Sequence, residues 1–140
     1  MYSFDIVKPT SLADAVSALS QEEAMPLSGG QTLIPSLKQR LAMPTTLVSL
    51  SAIAELKGIS EADGVLTIGG GSTHGEVATE TAASYPALSA MAGNIGDPAV
   101  RNRGTIGGSL ANNDPSACYP AAALASGATI VTNTREIAAD

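Results

Sequence analysis

Ala24-Met25-Pro26-Leu27-Ser28-Gly29-Gly30-Gln31-Thr32-Leu33-Ile34-Pro35-Ser36-Leu37 is the stretch on which the reading of this chain turns. A short strand pattern stops abruptly at Ser-Gly-Gly. A helical one follows at Leu33, Ile34, Leu37 and Leu41, with Pro35 tolerable only in the first turn. Upstream, residues 4–7 are a short strand candidate closed by Lys8-Pro9. Thr10 or Ser11 then caps a helix whose Leu12, Ala15, Val16 and Leu19 fall at i, i+3, i+4 and i+7. Downstream, residues 45–50 are rich in β-branched side chains and predict a third strand. A β-α-β-α-β order predicts a small parallel sheet, because each helix supplies the crossover that parallel strands need.

The pattern changes after Ile53. Residues 58–60 and 65–68 predict a hairpin turning through Glu61-Ala62-Asp63-Gly64, where Asp-Gly is the turn signal. Gly69-Gly70-Gly71 precedes a helix capped by Ser72 or Thr73, and residues 85–91 predict another short helix. Residues 93–104 are expected to be irregular. An alanine-rich helix over about residues 115–125 leads to a strand at 128–132, a turn at Asn133-Thr134 and a final strand at 135–138. Two subdomains are expected, residues 1–54 and 55–140.

Composition narrows the function classes. Of 140 residues, 44% are hydrophobic, enough for a core, so a disordered tail is excluded. With no Trp, one Phe and three Tyr, that core must be built from Ala, Leu, Ile and Val. Thirteen acidic against seven basic residues give a net charge of -6, which repels phosphate backbones and argues against a nucleic-acid partner. Charged residues make up only 14%, a hint that part of the exterior is covered by something else. One cysteine, Cys118, and one histidine, His74, cannot make an internal disulfide, a thiolate metal cage or an ordinary zinc site, so no metal site is expected. No apolar run approaches a membrane span, and Met1-Tyr2-Ser3-Phe4-Asp5 lacks the signal-peptide pattern, so a cytoplasmic location is expected.

Gly29-Gly30, Gly69-Gly70-Gly71 and Gly107-Gly108 are placed at strand exits, where bare N–H groups can meet an anion. Any single glycine pair is more often a tight turn. Gln31-Thr32 and Ser109 beside two of the clusters add side chains that bond phosphate oxygens. Neither a P-loop nor a G-x-G-x-x-G dinucleotide turn is present. Arg101 and Arg103, on one face if extended, could neutralise a pyrophosphate or an acidic partner, or form a solvated pair. His74 reads as a helix-start residue making a local bond, Asp114 as an N-cap, and Cys118 as a small buried apolar residue. No nucleophile–base constellation emerges, and no catalytic residue is assigned; the chain is suited to holding a ligand.

Ser28-Gly29-Gly30-Gln31-Thr32, Arg101-Asn102-Arg103-Gly104-Thr105-Ile106-Gly107-Gly108-Ser109, Ala111-Asn112-Asn113-Asp114-Pro115 and Tyr119-Pro120-Ala121-Ala122 together resemble the FAD-binding medium subunit of molybdenum hydroxylases. That group includes aerobic carbon monoxide dehydrogenase and xanthine dehydrogenase-type enzymes. The four motifs occur in the family's order, and with residues 4–9 and 67–74, which also fit the family's spacing, the resemblance runs essentially from end to end of the chain. The resemblance implies an α+β, two-subdomain FAD-binding fold of the PCMH type. A small parallel-sheet subdomain would be followed by part of a larger mixed or antiparallel-sheet subdomain.

Ser28, Gly29, Gly30, Gln31 and Thr32 would clasp the pyrophosphate from one side, and Thr105, Gly107, Gly108 and Ser109 from the other. The resemblance places Ile95 and Gly96 along the same cavity, with Ala111 and Asp114 also counted among the cofactor-binding residues. Gln31 stands where covalently flavinylated relatives place histidine, so the FAD would be non-covalent. In such enzymes a large subunit oxidises substrate at a molybdenum cofactor. Electrons then pass through two-iron iron–sulfur clusters of a small subunit to FAD and on to an external acceptor; both subunits are implied partners. Two departures stand out. Cys118 occupies a position where the family commonly carries aspartate, and the family's domain continues beyond the position of Asp140, so a truncated subunit is expected. The rival readings are a non-catalytic assembly fragment without flavin, and another flavoenzyme of the superfamily, such as an enolpyruvyl-sugar reductase.

Overall fold

A computed structural model describes residues 1–140. Strands β1 (Asp5–Val7), β2 (Ala24–Leu27) and β3 (Thr46–Ser49) form a parallel sheet in the order β1-β3-β2. Leu47 lies opposite both Ile6 and Met25, so β3 is central, and its Leu47, Val48 and Ser49 are buried. The crossovers are α1 (Leu12–Leu19) and α2 (Leu33–Lys38). Ser11 caps α1 by accepting the Asp14 N–H at 3.1 Å. Ala15 then packs with Val48 and Ile53, flanked by Leu12, Leu19, Leu50 and Leu56. The apolar stripe expected through Leu41 stops at Leu37. Arg40 turns left-handed (φ 61°), the Leu41 N–H closes on the Ser36 carbonyl at 2.9 Å, and the Leu41 side chain is left 76% exposed.

A single 3₁₀ turn, Ala54–Leu56, leads to the hairpin β4 (Ile59–Ala62) and β5 (Val65–Ile68). Asp63 (φ 50°) and Gly64 (φ 78°) alone make the turn, so Glu61 and Ala62 belong to the strand. Helix α3 (His74–Glu80) starts with a capping box in which Thr73 and Glu76 satisfy each other's main-chain N–H groups. It packs on α4 (Pro86–Gly93) through Val77, Leu88 and Ala92, joined by Tyr119 of α7 (Cys118–Ala125). This apolar cluster shares no residue with the one around Val48. Strands β6 (Thr129–Val131) and β7 (Glu136–Ala138) close the described chain as an antiparallel pair.

Residues 93–104 hold more structure than expected. Helix α4 runs into Gly93, and a short helix α5 (Pro98–Arg101) follows. Asp97-Pro98, which suggests a turn, is the start of α5: the Asp97 carboxylate accepts the Val100 N–H at 2.9 Å, and proline at the first helical position has no N–H to lose. A further helix, α6 (Ile106–Asn112), begins within the Gly107-Gly108 motif. Helix α7 starts at Cys118 rather than near Pro115. Asp114 is therefore not its N-cap; it forms a local turn in which its carboxylate accepts the Ser116 N–H at 2.8 Å. No helix is long and apolar enough to cross a membrane.

Candidate cofactor cradle

The end of β2 and the start of α6 meet in space. The hydroxyls of Ser28 and Thr105, 77 positions apart in the chain, lie 2.9 Å from each other. Thr105 Oγ1 also accepts the Gly108 N–H at 3.1 Å, so one side chain caps α6 and touches the loop after β2. Gly29 is buried on the opposite backbone. A Cβ there would overlap the Arg103 carbonyl oxygen and stand 2.7 Å from Gly104 Cα, so only glycine permits this approach. Gly30 takes φ 73°, which turns the chain into α2 and lets its carbonyl accept the Ile34 N–H at 2.9 Å.

The N–H groups of Gly29, Gly30, Gln31 and Thr32 donate to no other group of the chain. Main-chain donors are rarely left without a partner unless solvent or a ligand takes them. Successive free N–H groups on a turn are the donor set that anions occupy. Gln31 folds back, its amide donating to the Gly29 carbonyl at 3.1 Å, and Thr32 makes no side-chain cap.

The third glycine cluster serves contact rather than conformation. Gly107 and Gly108 lie in the first turn of α6, not at a strand exit, and neither has positive φ. The Gly107 N–H donates to the Gly70 carbonyl at 2.9 Å, and a Cβ on Gly107 would stand 2.5 Å from that oxygen. A Cβ on Gly108 would stand 2.9 Å from Thr105 Oγ1 and 3.8 Å from Ser28 Cβ. The Ile106 N–H reaches the Ser72 carbonyl at 3.0 Å, and the His74 N–H reaches the Gly104 carbonyl at 2.9 Å. All three glycine clusters thus converge on the backbone of residues 103–108.

The remaining expected site residues sit differently. Ser109 is half-buried on α6, Ala111 is exposed one turn beyond Gly107, and Asp114 is exposed past the helix end. Ile95 packs against the Val77–Tyr119 cluster, and Gly96 turns at φ 51°. Their carbonyls accept Arg101 Nη1 at 3.1 and 3.2 Å, and no hydrogen bond joins either residue to Ser28-Gly29-Gly30-Gln31-Thr32 or Thr105-Ile106-Gly107-Gly108-Ser109. Arg101 is occupied in this way at the end of α5 while Arg103 is exposed, so the two do not act as a pair on one strand face. Cys118 is exposed, contrary to the buried apolar role expected of it.

His74 is 6% exposed and its side chain makes no local hydrogen bond. Its ring lies against Tyr119 with centroids 5.3 Å apart, and His74 Nδ1 and Tyr119 Oη are both buried without a partner. Glu76 is committed to Thr73. Burial pushes the imidazole pKa below its ordinary value; burial, and then the neighbouring Cys118 charge, pushes the Tyr119 hydroxyl up. Gly104 and Tyr119 stand in the motifs that carry the resemblance, but their contacts with His74 are not legible there; nothing in a loop glycine or a Tyr-Pro pair signals a long-range contact.

The donor set suits a diphosphate: four consecutive N–H groups, two hydroxyls and two places, Gly29 and Gly107, where backbone meets backbone because no Cβ intervenes. A shallow depression of about 490 Å³ beside α3, lined by Thr73, Gly75, Glu76, Thr79, Glu80 and Asn102, has no apolar wall and lacks these donors.

Residues 2–139 match the family model described as the FAD binding domain in molybdopterin dehydrogenase. The chain is 44% identical over 123 residues to the carbon monoxide dehydrogenase medium chain of Afipia carboxidovorans, covering 85% of this chain and 43% of that one. It is 34% identical over 114 residues to the xanthine dehydrogenase FAD-binding subunit of Escherichia coli O157:H7, covering 79% and 39%. The fold superposes on reconstituted CO dehydrogenase from Oligotropha carboxidovorans with a TM-score of 0.92 at 40% identity, over 99% of this chain and 51% of that one. Quinoline 2-oxidoreductase from Pseudomonas putida 86 gives 0.94 at 35%, over 99% and 51%. The chain therefore spans about half the length of its relatives, and over that half its fold is the PCMH-type α+β fold expected from the motifs. With the family match running over nearly the whole chain and the fold superposing on its members, the chain belongs to the family of FAD-binding domains of molybdopterin dehydrogenases.

Proposed function

We propose that this chain holds FAD non-covalently by its pyrophosphate and serves as an electron-transfer flavin module of a molybdenum hydroxylase. The observation that carries the reading is the meeting of Ser28 and Thr105 beside the unpartnered N–H groups of residues 29–32. In this reading the main-chain donors of Gly29, Gly30, Gln31 and Thr32 bind one phosphate. The Ser28 and Thr105 hydroxyls, with Gly108 and Ser109 on α6, line the other side. Ala111, Asp114, Ile95 and Gly96, which the motifs imply as cofactor contacts, would touch FAD outside this donor set, Ile95 and Gly96 being held by Arg101. The bound flavin would supply reversible electron uptake and release, while the protein contributes position and electrostatics.

Residues 1–54 and 55–140 act as two subdomains that close on the ligand. The named relatives, a medium chain and an FAD-binding subunit of dehydrogenases, support a place in a multi-subunit oxidoreductase. A partner carrying the molybdenum cofactor, a partner carrying iron–sulfur clusters and delivery of electrons to an external acceptor complete the proposal. A cytoplasmic location accompanies this reading.

The test is titration of purified chain with FAD, followed by flavin fluorescence and visible absorption. Binding is expected for the unmodified chain. Gly30→Ala is expected to weaken it about tenfold, since a β-carbon at φ 73° costs roughly 1–2 kcal/mol and would stand 2.6 Å from Ile34 Cδ1, so the loop is displaced in the free chain and must be restored on binding. A folded chain, verified by circular dichroism, that ignores FAD would overturn the proposal and leave the flavin-free assembly role.

A further inference from the structure

Behind the cradle lies a line of contacts running away from the ligand. Gly29 rests on the backbone of Arg103 and Gly104. Gly104 rests on the imidazole of His74: a Cβ at Gly104 would stand 2.5 Å from Nε2 and 2.8 Å from Cδ2. The imidazole rests in turn on the Tyr119 ring, with centroids 5.3 Å apart and planes inclined by 33°. Each layer is close-packed, and close-packed layers transmit displacement instead of absorbing it. Nδ1 of His74 and Oη of Tyr119 are the two buried side-chain polar atoms left without a partner, and both lie in this stack. Buried orphan polar groups carry a desolvation cost, so a chain needing only a filler here would do better with an apolar ring.

Resting on the cradle reading above, we propose that His74 is a positioning residue for FAD: its imidazole, wedged between Tyr119 and Gly104, holds residues 103–105 against Gly29 and so sets the Ser28–Thr105 pair.

The consequence is a pH dependence. No carboxylate offsets a charge on this ring, and burial alone moves its pKa, downward. Glu76 on the same helix is tied to Thr73. Arg101 at the end of α5 is tied to the Ile95 and Gly96 carbonyls, and Arg103 is exposed. From α7 come Tyr119, whose hydroxyl stays protonated, and the exposed Cys118. Helices α4 and α6 bring no ionisable side chain. Because the folded form favours neutral imidazole, fold stability is full above the ordinary value of 6.5 and declines as pH drops below it. FAD affinity is linked only to the difference between free and FAD-bound chain, so it is constant until pH falls through the lowered His74 pKa of the free chain and declines below that. A single linked proton limits the fall to about tenfold per pH unit.

His74 is the sole histidine, so its ring resonance in a proton NMR titration is unambiguous. By reciprocity, saturating FAD is expected to lower the observed His74 pKa further. His74→Phe, which keeps a ring in the stack, is expected to bind FAD within about threefold of the unmodified chain at neutral pH but with a flat profile down to about pH 5; His74→Ala is expected to lose affinity at every pH. If FAD binds yet the His74 pKa is unmoved and the His74→Phe profile matches that of the unmodified chain, the role of His74 is overturned while the cradle stands. If a folded chain binds no FAD at neutral pH, the cradle fails and this inference with it. The NMR arm needs no variant, so a misfolded substitution does not spare the proposal.

Discussion

Gly107 illustrates how a single hydrogen in place of a methyl group decides a local balance. In an exposed helix, glycine to alanine stabilises by about 1 kcal/mol. Gly107 is helical, so conformation alone predicts that gain. Its missing Cβ, however, faces the Gly70 carbonyl oxygen at 2.5 Å and Gly70 Cα at 2.8 Å, and backbone cannot swing aside like a flexible side chain. Overpacking of this kind costs roughly 1–3 kcal/mol. Gly107→Ala is therefore expected to lower the midpoint of urea unfolding. Gly64→Ala, at φ 78° with nothing within 4 Å, tests the opposite case of strain without collision and is expected to cost about 1 kcal/mol. A Gly107→Ala chain more stable than the unmodified one would show that α6 and the turn at residues 69–71 are free to part.

Among the elements, α5 is the shortest helix and depends most on its ends. Asp97 caps it, and its last residue, Arg101, clamps the Ile95 and Gly96 carbonyls. Asp97→Ala is expected to cost about 0.5–2 kcal/mol. It is also expected to speed hydrogen exchange at the Val100 amide while leaving the Leu47 and Val48 amides protected; equal acceleration at both places would mean that the cap acts on the whole chain. The same helix marks the limit of what the residues alone disclose. Strands β1, β2 and β3 and helix α1 were legible because each carries its own hydrophobic period and its own stop signal. Helices α5 and α6 were not, because Pro98 and Gly107-Gly108 read as breakers. In place, the proline is the first helical residue and the glycines are contact points for distant backbone. The same reason explains the candidate site. Ser28 and the residues around Thr105 were identifiable from their motifs, whereas Gly104 and Tyr119 act only through contacts that no local pattern encodes.

At the scale of the whole molecule, one apolar cluster centres on Val48 and Ile53, the other on Val77 and Tyr119, and no residue belongs to both. Cohesion between them near the cradle depends on the Gly29 approach and on the Ser28–Thr105 hydroxyl pair. A neutral hydrogen bond contributes about 0.5–1.5 kcal/mol net, and a double-mutant cycle isolates it from the other work each residue does. That separation matters here, since Thr105 also caps α6. Ser28→Ala, Thr105→Val and the double variant are expected to show a coupling energy of about 1 kcal/mol in urea unfolding. In the presence of saturating FAD the coupling is expected to grow, because a ligand gripped from both sides rewards their correct spacing only while both hydroxyls are present. A coupling of zero without FAD would mean that the two clusters are joined elsewhere. A coupling indifferent to bound FAD would mean that the flavin does not sit between these two hydroxyls, whatever its affinity.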